Sequence, residues 1–439
     1  MQEPLLAIVF SSRSRSWTEI VEAGAGLCRF LWIVDCREPD MGDTVRVLRR
    51  FGKVIDTAGC TPEKVIQHIH GEHPDGIASF FDTDLHRQAW MAAALGLPSP
   101  SVRATARLTD KLLQRKALEA AGVPGPRFSA INESVDQSEI DRLCGALRFP
   151  MVIKPRDGTA CRDVLPVADA DALTRILAEA EHPSEMILEE RMEDLPPSSA
   201  PYADRVSIDS IVSRGVFSHI GITGLFPMVE PFRSSGGFFP AEVPDSDIPE
   251  LFALTTAAIQ ALGADFGCYR TEIKLTPNGR KIIEVNGRPS GLTPVNVKLA
   301  SGLPLLQMCM RLGLGEHVVI EGPIKCDRVA YRFYCEPPMS AQRYVGSTGL
   351  EALSRLPGIV QIDLHKSSGD PVNWRNGSLD KIFQVTGAVA DHAELAEHYR
   401  ACTEDVVVTY EHGRGARRLT TASAGPSRLA AQQSGEGGI

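Results

Sequence analysis

Residues 268–291 read CYRTEIKLTPNGRKIIEVNGRPSG, two β-like runs on either side of TPNG. A turn of this kind between such runs is a strong hairpin signal. A hairpin symmetric about Asn278 sets Glu272 opposite Glu284, and period-two alternation puts both on one sheet face with Asn286. Directly opposed residues lie roughly 4.5–5.5 Å apart, where like charges destabilise the pair. Two carboxylates and an amide so placed want a cation between them. All three offer hard oxygen, which suits Mg²⁺, an ion that commonly completes its shell with phosphate and water. The competing reading is a solvated strand face neutralised by Lys274 and Arg270, and a slip of one residue would undo the pairing.

Ahead of this hairpin the chain alternates strand and helix. The first hundred residues run LLAIVF, a polar stretch, RFLWIVDC, a helix around 43–51, KVIDTA, a helix from Thr61 to about His70, GIASFFD and a helix at 85–95. That order argues for a parallel, doubly wound sheet. Its first strand leads into SSRSRS rather than GxGxxG, so no dinucleotide is expected there. A second unit starts near 101 with a helix capped by Thr109 or Asp110 and ended by Gly122. It continues with a strand at 149–155, the loop RDGTACRD, the helix ADADALTRILAEAE and the strand MILEERM. Antiparallel strands over 204–226, a long loop at 228–246, a helix at about 247–262, the hairpin and a helix over KLASGLPLLQMCMRLGLGE follow. The expected class is α/β and α+β, with units at 1–100, 101–320 and 321–413, the last a small α+β domain. The tail at 414–439 is poor in large apolar residues and is expected to be disordered.

Composition removes several classes of partner. Acidic residues outnumber basic ones by 55 to 46, a net charge of −9. A nucleic-acid binder shows a basic balance or stripe, and neither is visible. No apolar run approaches the ~20 residues that span a bilayer. The start of the chain has no basic n-region, so a cytoplasmic location is expected. The 10 cysteines contain no CxxC, and they read as reduced thiols. His68, His70 and His73 read as turn chemistry rather than a metal site.

Two lysines and a loop suit phosphate. Lys111 opens a helix, where free N–H groups and the dipole favour anions. Lys154 ends an apolar strand and leads into RDGTACRD, whose backbone, with Gly158, could cradle oxygens. Taken singly, each lysine reads as an ordinary surface residue. Their weight lies in their order along the chain with the hairpin.

That order resembles the ATP-grasp superfamily. DK opening a helix, VIKP before a small-residue loop, LEER in a strand, TEIKLT and then EVNGR recur in sequence over roughly residues 1–320. The final segment is similar to the small C-terminal domain of one branch, the L-amino-acid ligases that make dipeptides and peptide-like antibiotics. The resemblance implies a pre-ATP-grasp domain in front and ATP held between two α+β subdomains. It implies that Lys111 and Lys154 contact phosphate. Glu189 would lie on the strand that meets adenine and ribose, with Glu190 and Met192 offering backbone groups to adenine. Glu272, Glu284 and Asn286 would hold magnesium, commonly two ions, with Mn²⁺ able to substitute. Arg288 would steady the transferred phosphate and the acyl phosphate, with Gly291 also at the substrate. The partners implied are amino-acid or peptide substrates, with neither nucleic acid nor membrane, and a homodimer is compatible.

The activity implied is an ATP-dependent carboxylate–amine ligase working through an acyl phosphate. Alternatives are an ATP-grasp carboxylase or purine-pathway ligase, and a nucleotide-binding regulator without turnover. Several residues depart from the family pattern. Cys161 and Asp163 occupy the phosphate loop, Arg205 stands where Glu is common near the ribose, and Arg270 replaces a common histidine. Arg270 on the metal face and Arg233 in the loop PFRSSGGFFPAEVP are expected to hold substrate carboxylates, with Phe232, Phe238 and Phe239 as apolar walls.

Overall fold

The computed structural model describes residues 3–39, 41–195 and 202–412, and the backbone of 417–422. Four parallel strands form the N-terminal layer, in the order Gly52–Asp56, Arg29–Val34, Leu5–Val9, Gly76–Ala78. Leu5–Val9 is buried at all five positions, as a strand covered by helices on both faces must be. The helices Met41–Leu48, Pro62–His70 and Leu85–Leu95 fall close to where the alternation places them. A further helix, Trp17–Gly24, occupies part of the polar stretch; it is only 8 residues long and is capped by Ser16, too short to show a period.

A second, four-stranded antiparallel sheet runs Phe128–Ala130, Met186–Glu190, Met151–Pro155, Leu165–Val167. The helices Gln137–Ala146 and Ala170–Glu179 share its core. The first of these, like Val102–Thr109, was not expected from the sequence; both are short and capped, by Asp136 and Ser101.

The third sheet has eight antiparallel strands: Gly279–Asn286, Gly267–Thr276, Arg205–Ser213, Val216–Leu225, Gly236–Phe239, Val329–Cys335, Phe383–Val389 and Ile359–Leu364. Its last three strands come from beyond residue 320, so the sheet runs straight across the expected boundary. The link is Gly236–Phe239, inside the segment 228–246 expected to be loop. Gly236 has φ +104°, and a Cβ there would lie 2.0 Å from the Arg332 carbonyl oxygen, so a side chain would break the ladder. The expected single helix over 298–316 is two, Thr293–Ser301 and Leu305–Gly313, split by left-handed Gly302 and by Pro304. Within the tail expected to be disordered, Arg417–Ala422 pairs as a strand with Val407–His412. The rest of 414–439 lies outside the described residues. Among the described residues no helix is long and apolar enough to cross a membrane.

Candidate active site

The hairpin pairs Glu272 with Glu284 and Arg270 with Asn286. The route to that pairing differs from the symmetric turn expected. The loop is two residues, Pro277 and Asn278, and it closes Thr276 on Gly279. Carried onward, that register would oppose Glu272 to Ile283. A bulge intervenes: Ile273 faces Ile282 while Glu272 faces Glu284, so Ile283 is the extra residue. The helix Lys111–Ala120 secures the bulge from the sheet edge. Arg115 donates to the carbonyls of Ile282, at 3.0 Å, and Ile283. Gln114 donates Nε2–H to the Val285 carbonyl at 2.9 Å and accepts the Val285 N–H at 2.8 Å, pairing as a strand would.

Period-two alternation then builds a polar floor. Arg205, Ser207 and Asp209 of one strand stand beside Lys274, Glu272 and Arg270 of the next. Arg270 donates to Glu272 at 3.0 Å. Burial works to raise the Glu272 carboxyl, but Arg270, Arg205 and Arg288 together hold it below the usual range. Glu284 accepts from Asn286 Nδ2 at 3.2 Å and makes no ion pair among the described residues. Among the described residues no third His, Cys, Asp or Glu joins the two glutamates in a metal-sized cluster. Two opposed carboxylates and an amide, one carboxylate without a counter-cation, are hard donors that fit Mg²⁺ completed by phosphate and water.

Lys154 and Glu189 lie above the floor. Lys154 is 7% exposed, and its Nζ sits 2.9 Å from a Glu189 oxygen. Arg115 grips the same carboxylate at 2.7 and 3.2 Å. Burial opposes ionisation of Glu189, but Arg115 and Lys154 outweigh it and hold the carboxyl at about 2. Burial likewise pushes the Lys154 ammonium below its ordinary value, in spite of Glu189. The Glu189 side chain is therefore the anion between two cations, and it is not offered to a ribose. The Glu190 N–H is donated to the Arg127 carbonyl at 2.9 Å, so it too is engaged. Met192 lines the cleft.

Lys111 points into the cleft from the other side and donates to the Gly158 carbonyl at 2.7 Å. Its helix N-terminus is not open to an anion. Asp110 accepts the N–H groups of Leu112 and Leu113 at 2.8 and 3.1 Å and pairs with Arg156. Between the lysines runs the loop 156–164, with Ala160, Cys161 and Asp163 at φ +58°, +59° and +54°. Such angles are strained for residues with a Cβ and need outside support. Thr159 donates to Asp82 at 2.9 Å, and Ser378 N–H donates to the Ala160 carbonyl at 2.9 Å. The Cys161 side chain is exposed, yet the protein atoms crowded around it, then the nearby Glu272 and Glu284 carboxylates, push its thiol up, away from a nucleophilic thiolate.

Arg288 reaches Asp82 at 2.6 and 3.0 Å, so Asp82 ties this arginine and the loop to the N-terminal layer. The Gly291 carbonyl accepts from Arg332 at 3.2 Å. Arg233 is not brought to the site. It is 1% exposed and donates to the carbonyls of Glu230 and Pro337. Phe238 and Phe239 are core residues, and Phe232 alone of the three lines the cleft. Arg115, Gln114 and Asp82 were missed. Arg115 did leave a trace: with Leu112 and Leu118 it forms the buried stripe of its helix, where a charge calls for a partner.

No protein-family model matches the chain. A solved L-amino acid ligase from Bacillus licheniformis superposes with a TM-score of 0.75, at 18% identity, over 94% of this chain and 100% of that one. The chain has the ATP-grasp fold. In sequence, an uncharacterized protein of Sinorhizobium fredii (strain NBRC 101917 / NGR234), y4rH, is 26% identical over 356 residues, 79% of this chain and 67% of that protein. A D-alanine–D-alanine ligase of Gloeobacter violaceus (strain ATCC 29082 / PCC 7421) is 27% identical over 240 residues, 50% of this chain and 73% of the ligase. An N5-carboxyaminoimidazole ribonucleotide synthase of Mycobacterium bovis (strain ATCC BAA-935 / AF2122/97) is 28% identical over 201 residues, 44% of this chain and 42% of that enzyme. Ligases thus stand among the proteins this chain is similar to in both fold and sequence.

Proposed function

We propose that the chain is an ATP-dependent ligase joining the carboxylate of an amino acid to the amine of an amino acid or peptide. The supporting observation is the polar floor: Glu272 and Glu284 oppose each other in one cleft with Lys111, Lys154 and the loop around Gly158. ATP would lie with its base by Glu190 and Met192 and its phosphates under the loop. Glu272, Glu284 and Asn286 would hold Mg²⁺, which when bound supplies charge neutralisation at the phosphates. Lys111 and Lys154 add fixed positive charge where phosphoryl charge develops, a matter of positioning and electrostatics rather than covalent catalysis.

A carboxylate is a poor electrophile because its leaving group would be oxide. Its oxygen attacks the γ-phosphorus, ADP leaves, and the acyl phosphate carries a good leaving group. The amine then attacks the acyl carbon, phosphate departs and the nitrogen gives up a proton. Arg288 can grip an anionic oxygen bidentately once it leaves Asp82, and Arg270 lies on the same face for a substrate carboxylate. The D-alanine–D-alanine ligase and the L-amino acid ligase among the relatives support this choice of reaction.

The test is incubation with ATP, magnesium and a pool of amino acids, with mass spectrometry of the products. New dipeptide masses with matching ADP release are expected. A carboxylation reading is favoured by the N5-carboxyaminoimidazole ribonucleotide synthase match, and it requires ADP release that depends on bicarbonate. No ADP release under any of these conditions would leave a nucleotide-binding protein without turnover.

A further inference from the structure

Among the described residues the floor carries one cation that no hydrogen bond or ion pair satisfies, although Glu272 lies near enough to feel its charge. Lys274 lies between Asp194 and Asp204, at 2.6 Å from each. Arg270 is paired with Glu272 at 3.0 Å. Arg205, next to Lys274 across the ladder, makes no hydrogen bond and no ion pair among the described residues. It is 8% exposed, its Nη2 is buried without a partner, and it lines the cleft. A guanidinium removed from water and left unpaired is costly, so its place in a cleft wall points to a partner that arrives from outside. Two residues further along the same strand, Ser207 Oγ is also buried and unpartnered on that face.

Position along the floor says which part of a ligand Arg205 meets. Asp194, two residues on from Met192, is held by Lys274 beside Asp204 on one side of it, and Glu272, opposite Glu284, lies on the other. In the reading proposed above, on which this step rests, the base sits by Met192 and the terminal phosphates by the two glutamates. The piece between them is the ribose and its 5′-phosphate. A buried cation is matched by a charged acceptor better than by a neutral diol. We infer that Arg205 binds the α-phosphate of the nucleotide, as a specificity residue for 5′-phosphorylated nucleosides.

The test is calorimetry of adenosine, AMP, 2′-AMP and ADP on the full chain, with Arg205→Met and Arg205→Lys beside it. AMP should bind the unaltered chain about tenfold or more tighter than adenosine, the size expected of a hydrogen-bonded charge pair. Arg205→Met should bring that ratio near one, whereas Arg205→Lys should keep most of it. The gain from AMP to ADP belongs to Lys111 and Lys154; it should survive both substitutions and so report that the variants are folded. An AMP-to-adenosine ratio that is the same in the unaltered chain and both variants overturns the inference while leaving the ATP site standing. So does a preference for 2′-AMP that disappears in Arg205→Met, which would assign Arg205 to the other side of the sugar. If the unaltered chain binds no ADP, the ATP reading itself fails and the inference goes with it.

Discussion

On the floor of the cleft, Glu272 and Glu284 are placed by a ladder local in sequence, the strands Gly267–Thr276 and Gly279–Asn286. In the roof, Ala160, Cys161 and Asp163 hold left-handed backbone angles closed locally by only two long turn bonds, Arg162 N–H to the Thr159 carbonyl at 3.3 Å and Val164 N–H to the Cys161 carbonyl at 3.4 Å. The remaining supports come from elsewhere: Asp82 of the N-terminal layer, and Gly377 and Ser378 of the C-terminal segment. Floor geometry is therefore set by pleat and bulge, and roof geometry by tertiary contact. A change to the floor should alter chemistry and spare the fold. A change to the roof's supports should alter nucleotide affinity from a distance.

The sharpest separation should come from Glu284→Gln. It removes one charge from an opposed pair without changing shape, so turnover should fall by about a hundredfold or more, while the thermal midpoint stays within a degree or two of the original. Normal turnover at saturating magnesium would remove the hairpin from the chemistry.

Arg115→Leu should do the reverse. It strips Glu189 of one of its two cations and releases the carbonyls of Ile282 and Ile283. Breaking a buried pair from one side costs about 3–5 kcal/mol, to be read from urea unfolding. A loss below about 1 kcal/mol would show that the bulge stands without the helix that covers it.

Gly377→Ala tests the roof alone. Gly377 has φ +61°, and a Cβ there would meet the Ala160 carbonyl oxygen at 1.9 Å. Stability should fall by about 1–3 kcal/mol and the Michaelis constant for ATP should rise, with turnover at saturation little changed. An unchanged Michaelis constant would mean that the C-terminal segment touches the loop without shaping it.

A last contrast, read between about pH 5 and 8, sets two buried glutamates side by side. Glu189, held at about 2 by Arg115 and Lys154, adds stability that is present above the unfolded carboxyl value and lost as pH falls toward 2. Glu336 lies 3.8 Å from Arg233 with both oxygens lacking hydrogen bonds among the described residues, and burial pushes it up to about 8. Its contribution has the opposite sign: fully present below the unfolded value of about 4.3, and lost as pH rises to 8. Glu336→Gln should flatten that loss in denaturation curves taken between pH 5 and 8, roughly the span between those two values. An unchanged slope would assign the pH dependence to another group.

The same division explains what could be read beforehand. Glu272 opposite Glu284 was legible because pleat and turn are local, although the turn expected was one residue too long and an unseen bulge at Ile283 made up the difference. Ile283 looks like any apolar strand residue, so nothing in its type announced the bulge. Asp110 was legible as a cap, but a cap that fills its helix end also denies that end to phosphate. Arg233 was placed at the substrate because a loop arginine reads as exposed; its burial depends on the carbonyls of Glu230 and Pro337, the latter 104 residues away. Arg205 was noticed as a departure, and only the packed strands showed that it lacks a partner.

The strand Gly236–Phe239 joins the floor and the C-terminal strands into one hydrogen-bonded sheet. A continuous ladder does not hinge. Any opening of the cleft would therefore leave the C-terminal segment fixed to the floor and move the small sheet of Met151–Pro155 and Met186–Glu190 against it. The two lysines would then part company on opening, since Lys154 travels with the small sheet and Lys111 stays with the helix that borders the floor. The contacts that would have to let go include the Gly158 carbonyl held by Lys111 and, more costly, the buried Glu189 carboxylate held by Arg115.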